Sequence, residues 1–88
     1  MTVDTSSLTN EQIRNSICVL IGPLNTKNIP LKPDTTFSID LDLDSLTVMD
    51  LVASIEDEYE IVLPLNMLPD LENIQQVADA VEQIVKDQ

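Results

Sequence analysis

Histidine and tryptophan are absent from this 88-residue chain, glycine and cysteine occur once each, and Phe37 and Tyr59 are its only aromatic residues. Each scarcity excludes something. Without histidine, Cys18 has no partner for a zinc site, and a lone cysteine cannot form an internal disulfide. A reducing cytosol is therefore the expected setting. One glycine argues against a many-turned β architecture, and two aromatics leave an aliphatic core. No apolar run reaches the roughly 20 residues that span a bilayer. The opening residues, Met-Thr-Val-Asp-Thr, lack the basic and apolar regions of a signal peptide.

Basic residues are also scarce. Arg14, Lys27, Lys32 and Lys86 face sixteen acids, giving a net charge of -12, and residues 33 to 85 contain no base at all. Such a field repels nucleic acid and anionic membranes and attracts basic protein surfaces. It also disfavours self-association, so a monomer is expected. Self-repulsion should weaken the fold at low ionic strength. Added salt or divalent cations are expected to raise the thermal midpoint. A midpoint that stays put between low and high salt would contradict this.

What remains reads as one helical domain over residues 1 to 88. Thr9-Asn-Glu-Gln12 is a capping box, with Leu8 and Ile13 at the staple positions. Ile13, Ile17, Leu20 and Ile21 recur at helical spacing, and Gly22-Pro23 ends that helix. Residues 24 to 43 form a long connection that stays compact if Leu24, Ile29, Leu31, Phe37, Ile39 and Leu41 anchor it. The next helix starts after Asp44 as cap, with Leu43 and Val48 as staple. Its apolar stripe is Val48, Leu51, Val52, Ile55 and Tyr59, and it stops before Pro64. Pro69-Asp70-Leu71-Glu72 supplies a short helical turn. Ile74, Val77, Ala78, Val81, Ile84 and Val85 mark the last helix. The fold class is all-α: a bundle of three main helices and a short third one.

Residue chemistry points away from catalysis. There is no Gly-rich phosphate loop and no His or Cys pair to activate a nucleophile. Cys18, on the flank of the first stripe, reads as a partly buried core residue. Asp40, Asp42 and Asp44 have the spacing of the first calcium ligands of an EF-hand. Ser45 and Leu51, however, stand where that loop needs glycine and a bidentate glutamate, so no metal site is expected.

Ser45 makes better sense as a functional residue. Just after an N-cap, it lies beside free N–H groups and the positive end of the helix dipole, where a phosphate ester is favoured. Asp-Ser-Leu alone would be ordinary helix-start chemistry. Its surroundings add more. With the stripe facing inward, Leu46, Met49 and Ala53 lie outward among Asp50, Glu56 and Asp57, as a docking surface for basic partners requires. Glu56, Asp57, Glu58 and Glu60 also crowd a helix C-terminus, against the dipole, by about 0.3–1 kcal/mol each.

Three segments together, Phe37-Ser-Ile-Asp-Leu-Asp-Leu-Asp-Ser-Leu46, Val48-Met-Asp-Leu-Val52 and Ile55-Glu-Asp-Glu-Tyr-Glu-Ile-Val-Leu-Pro64, resemble the acyl carrier protein family. The likeness extends from the first helix through Ile84. It implies the family's four-helix fold, with a long first loop and a short third helix. It implies that a phosphopantetheinyl transferase, drawing on coenzyme A, attaches 4'-phosphopantetheine to Ser45, with Asp44 as motif residue and cap. It implies further partners: acyl-loading and acyl-transferring enzymes whose basic patches meet Leu46, Met49, Asp50, Ala53, Glu56 and Asp57. The carrier itself would catalyse nothing. One departure is Asp42, where the family commonly has glycine. An aminoacyl or peptidyl carrier, or an unmodified acidic adaptor, are the alternative readings.

Overall fold

Three helices, Asn10–Ile21 (α1), Ser45–Tyr59 (α2) and Ile74–Lys86 (α3), carry the fold in the computed structural model, which describes residues 9 to 87. Two 3-10 turns accompany them, Gly22–Leu24 and Leu65–Asp70. No strand occurs among the described residues, only an isolated antiparallel bridge between Thr36 and Asn73.

Each helix begins where its capping residues dictate. The Thr9 hydroxyl accepts the Gln12 N–H at 3.2 Å, and Gln12 returns an oxygen to the Thr9 N–H at 2.9 Å. Asn73 and Gln76 repeat that reciprocal arrangement at the start of α3. Each satisfies donors that no carbonyl inside the helix can reach. The staple partner Leu8 lies outside the described residues; Ile13 is buried.

The apolar stripes converge on one core. Ile13, Ile17 and Ile21 from α1, Leu51, Val52 and Ile55 from α2, and Ile74, Val77, Ala78, Val81 and Val85 from α3 are all buried. Val48, Tyr59, Leu20 and Ile84 close the edges, half-exposed. Asn10, Gln75 and Asp79 tie α1 to α3 at the surface: the Asn10 amide donates to Asp79 at 3.0 Å, and the Gln75 amide donates to Asn10 at 2.9 Å.

The connection between α1 and α2 is ordered by its own hydrogen bonds and by the start of α3. Asn25 closes a turn with Ile29 through both amide atoms, and Asn28 takes the left-handed conformation at φ 53°. Asparagine tolerates that region better than most residues. The Pro33 and Thr35 carbonyls then accept the N–H groups of Gln75 and Ile74 at 2.9 and 3.2 Å, and Glu72 accepts that of Phe37. The loop therefore caps α3 while α3 holds the loop. A connection of this length stays compact because its backbone is bonded, not only because its apolar residues are buried.

Two expectations need correcting. Ile39 does not anchor the loop: it is 80% exposed, whereas Phe37 and Leu41 are buried and Leu24, Ile29 and Leu31 partly so. The cause is a tight ring in which Asp40 accepts both the N–H and hydroxyl of Thr36, at 2.8 and 3.0 Å, and the Asp40 N–H donates back to that hydroxyl. This turn sends Phe37 and Leu41 inward and leaves Ile39 at its tip. The short helical turn also lies earlier than Pro69–Glu72, at Leu65–Asp70 with Pro69 inside it. Leu71 is buried, and Glu72 is held against Phe37, so neither continues the turn.

Asp42 adopts φ 55°. Here a side chain costs roughly 1–2 kcal/mol relative to the right-handed form, with aspartate among the better tolerated. That conformation is why glycine suits the position. Its pair with Lys27, at 3.8 Å and largely exposed, contributes little. Asp42→Gly is expected to stabilise the protein by about 0.5–1 kcal/mol, after glycine's greater unfolded-state entropy is subtracted. Thermal unfolding should show a rise of a few degrees. A fall would mean the Lys27 contact outweighs the backbone strain.

Candidate functional site

Ser45 is the first residue of α2, and its side chain is exposed. Asp44 precedes it in an extended conformation and accepts the Thr47 N–H at 2.8 Å. Hydrogen bonding from Thr47, through its side chain and its backbone N–H, holds the Asp44 carboxyl below the usual carboxylate range. The cap therefore remains charged at neutral pH. Leu43, half-buried, donates its N–H to the Phe37 carbonyl at 2.9 Å. The approach to the helix is thus fixed by the buried aromatic residue. Thr47 and Val48 bond to Asp44, so the first-turn donors without an acceptor in the helix are those of Ser45 and Leu46.

A groove of about 520 Å³ opens beside the serine. Phe37, Ile39, Val48, Met49, Leu68 and Leu71 give it a mainly apolar lining. The Thr36–Asp40 ring shapes one wall, and backbone bonding from Thr36 followed by its hydroxyl draws the Asp40 carboxyl below its ordinary range. Ile39 and Leu68 were not singled out as site residues from sequence. The signal was present in Leu65-Asn-Met-Leu-Pro69, a segment more apolar than an exposed connection needs.

Along α2, Leu46 is 71% and Met49 55% exposed. Ala53, Asp50 and Asp57 are exposed as well. Glu56 is different. It is half-buried, and its Oε2 accepts the Leu63 N–H at 2.8 Å. One of the acids crowding the helix end therefore has a local structural role, turning the chain after α2. Glu60 terminates the helix at φ 55°.

The three aspartates tested against calcium serve separate partners: Asp40 bonds Thr36, Asp42 faces Lys27, and Asp44 caps α2. No cluster of metal-ligating side chains forms among the described residues. Cys18 is half-buried. Burial pushes its thiol pKa up, with Arg14 pulling more weakly the other way, so it is a poor nucleophile at neutral pH.

A surface serine at a helix mouth beside an apolar groove, in an acidic helical bundle, is the arrangement of a carrier-type domain. The comparisons with known proteins agree. Residues 11–81 match the family model described as the phosphopantetheine attachment site. The chain is 30% identical over 80 residues to the acyl carrier protein of Chlorobium phaeobacteroides, covering 90% of this chain and 99% of that one. The Chlorobium luteolum protein of the same name matches equally, and that of Chlorobium phaeovibrioides is 29% identical over the same length.

The chain belongs to the acyl carrier protein family. Its cofactor is accordingly covalently attached 4'-phosphopantetheine, and it is a carrier rather than a catalyst. A phosphopantetheinyl transferase and acyl-handling enzymes are its partners as a class. The residues present fit the group. Ser45 offers an accessible hydroxyl, and the first turn of α2 offers free donors and a positive dipole end for the linking phosphate. No described helix is long and apolar enough to cross a membrane.

Proposed function

We propose that Ser45 is the attachment residue, and that the protein carries acyl intermediates for fatty-acid, polyketide or specialised lipid synthesis. The exposed hydroxyl at the mouth of α2 is the observation that carries this reading. When bound, the arm supplies a terminal thiol that holds the acyl group as a thioester. The protein's own contributions are positional. Asp44 keeps the first turn of α2 intact, and the N–H groups of Ser45 and Leu46, left without an acceptor in the helix, would be available to the linking phosphate.

The groove beside Ser45 favours apolar cargo over aminoacyl cargo, because its lining would shelter a hydrocarbon chain and offers few partners for a charged amine. Leu46, Met49, Asp50, Ala53, Glu56 and Asp57 form the proposed docking face, with apolar contacts set among acids that attract basic enzyme patches. The test is intact mass after incubation of the apo-protein with coenzyme A and a broad-specificity transferase. Gain of one arm supports the proposal. An unchanged mass favours an acidic adaptor that works without an arm.

A further inference from the structure

A second groove, of about 330 Å³, lies on the other side of Met49 and Leu68 from the one at Ser45. Val52 and Leu63, both buried, line it from the core, Met49, Ala53, Val62, Pro64 and Leu68 add further apolar walls, and Glu56 is its one charged lining residue. The chain after α2 explains its shape. Ile61 and Leu63 turn inward, at 5% and 4% exposure, and Val62 between them is 76% exposed, the alternation of an extended strand-like segment. Glu56 fixes that segment against α2 through the Leu63 N–H. A large exposed valine beside an open apolar recess has no role in the bundle's own packing.

We propose that this groove is a socket for one bulky apolar side chain presented on a basic surface of a partner enzyme. This rests on the docking reading above and gives it an anchor. Three observations identify the occupant. The volume is near the lower end for ligand pockets, ~300–1,000 Å³, and suits a single side chain. Asp50 and Asp57 stand one turn to either side of Ala53 on the same row of α2, so cations are attracted around the socket and anions are not. A net charge of -12 opposes a second copy of this chain in the same place. The protein's own cargo has the other groove, which Ser45 lines directly. A side chain seated between α2 and Val62 would set the enzyme's position relative to Ser45 across the Met49–Leu68 ridge. Charge alone gives attraction without register; an anchored side chain gives register.

The experiment uses the full-length protein carrying its arm and two lysine-rich helical peptides, identical except for a central Phe or Ala. Affinities are measured by titration, with amide shifts followed by NMR. The Phe peptide is expected to bind about tenfold more tightly, the effect of burying one such side chain. The strongest shifts should fall on Met49, Ala53, Val62, Leu63 and Leu68. Val62→Ser, which removes an exposed wall, and Ala53→Phe, which fills the recess, should each abolish the preference. Glu56→Gln, which removes a docking-face charge but keeps an oxygen for the Leu63 N–H, should weaken both peptides alike and keep their ratio, whereas Glu56→Ala should also narrow the ratio.

Equal affinities for the two peptides would overturn the socket, as would a preference that survives both Val62→Ser and Ala53→Phe. If acylating the arm shifts the same amides and removes the preference, the occupant is the protein's own cargo and the proposal fails. A doubled mass on sedimentation would assign the groove to a second copy, with the same consequence. Arm attachment, weighed on the same sample, keeps the carrier reading separate: a protein modified at Ser45 but indifferent to the central Phe loses only the socket.

Discussion

Ser45→Ala is expected to abolish arm attachment completely while leaving the fold unchanged. The side chain is exposed, and alanine is at least as good a helix former in a first turn, so stability should move by no more than about 0.5 kcal/mol. Chemistry, by contrast, loses the one serine that stands at a helix mouth among the described residues. The other described serines are placed differently. Ser38 lies in the turn before Ile39. Ser16 sits within α1. The Ser54 hydroxyl donates to the Asp50 carbonyl at 3.1 Å in the body of α2. None stands beside free helix donors that favour a phosphodiester. Intact mass after treatment with coenzyme A and transferase should therefore show one added arm for the wild type and none for the variant. Circular dichroism and thermal melts should overlay. An arm that still appears on Ser45→Ala would place the attachment elsewhere, and a lost melt would make the missing arm uninformative about the hydroxyl. Asp44→Ala separates the roles further. It keeps the acceptor but removes the Thr47 cap, so modification should slow and the start of α2 should fray.

How much of this could be read from residue order follows from how local each signal is. The helices were legible because a capping box and a 3.6-residue stripe are properties of a few neighbouring positions, as at Thr9–Gln12 and Ile74–Val85. The position of Ser45 at a helix start was legible for the same reason, since Asp44 marks that start. Ile39 was misread because its direction depends on the Thr36–Asp40 ring, a side-chain bond that apolarity does not announce. The short turn was displaced to Leu65–Asp70 because its end is set by contacts of Leu71 and Glu72 with distant parts of the chain. Glu56 looked like one more surface acid, yet its half-burial and its bond to Leu63 give it a second role. Both grooves arise where α2 meets the irregular connections on either side of it, residues 36–39 and 68–72 at the first and 62–68 at the second, and no helical or strand periodicity reports such a gap.

Ile55→Ala should produce the largest loss of stability. Ile55 is fully buried in α2, where it joins a core that is aliphatic apart from Phe37. Truncating a buried isoleucine to alanine removes its transfer free energy and leaves a cavity, together about 2–5 kcal/mol. Alanine's better helix propensity offsets only a few tenths of that. A domain of this size holds roughly 4–13 kcal/mol in all, so one side chain accounts for a large part of the total. The thermal midpoint should fall by on the order of 10–30 °C. Val62→Ala, one short segment away but 76% exposed, should change stability by less than about 0.5 kcal/mol. The contrast is best measured at high salt, where self-repulsion among the sixteen acids is screened and the packing contribution stands alone. A loss below about 1 kcal/mol for Ile55→Ala would mean that the bundle collapses around the missing atoms, and α2 could not then hold Ser45 and the grooves beside it in a fixed relation.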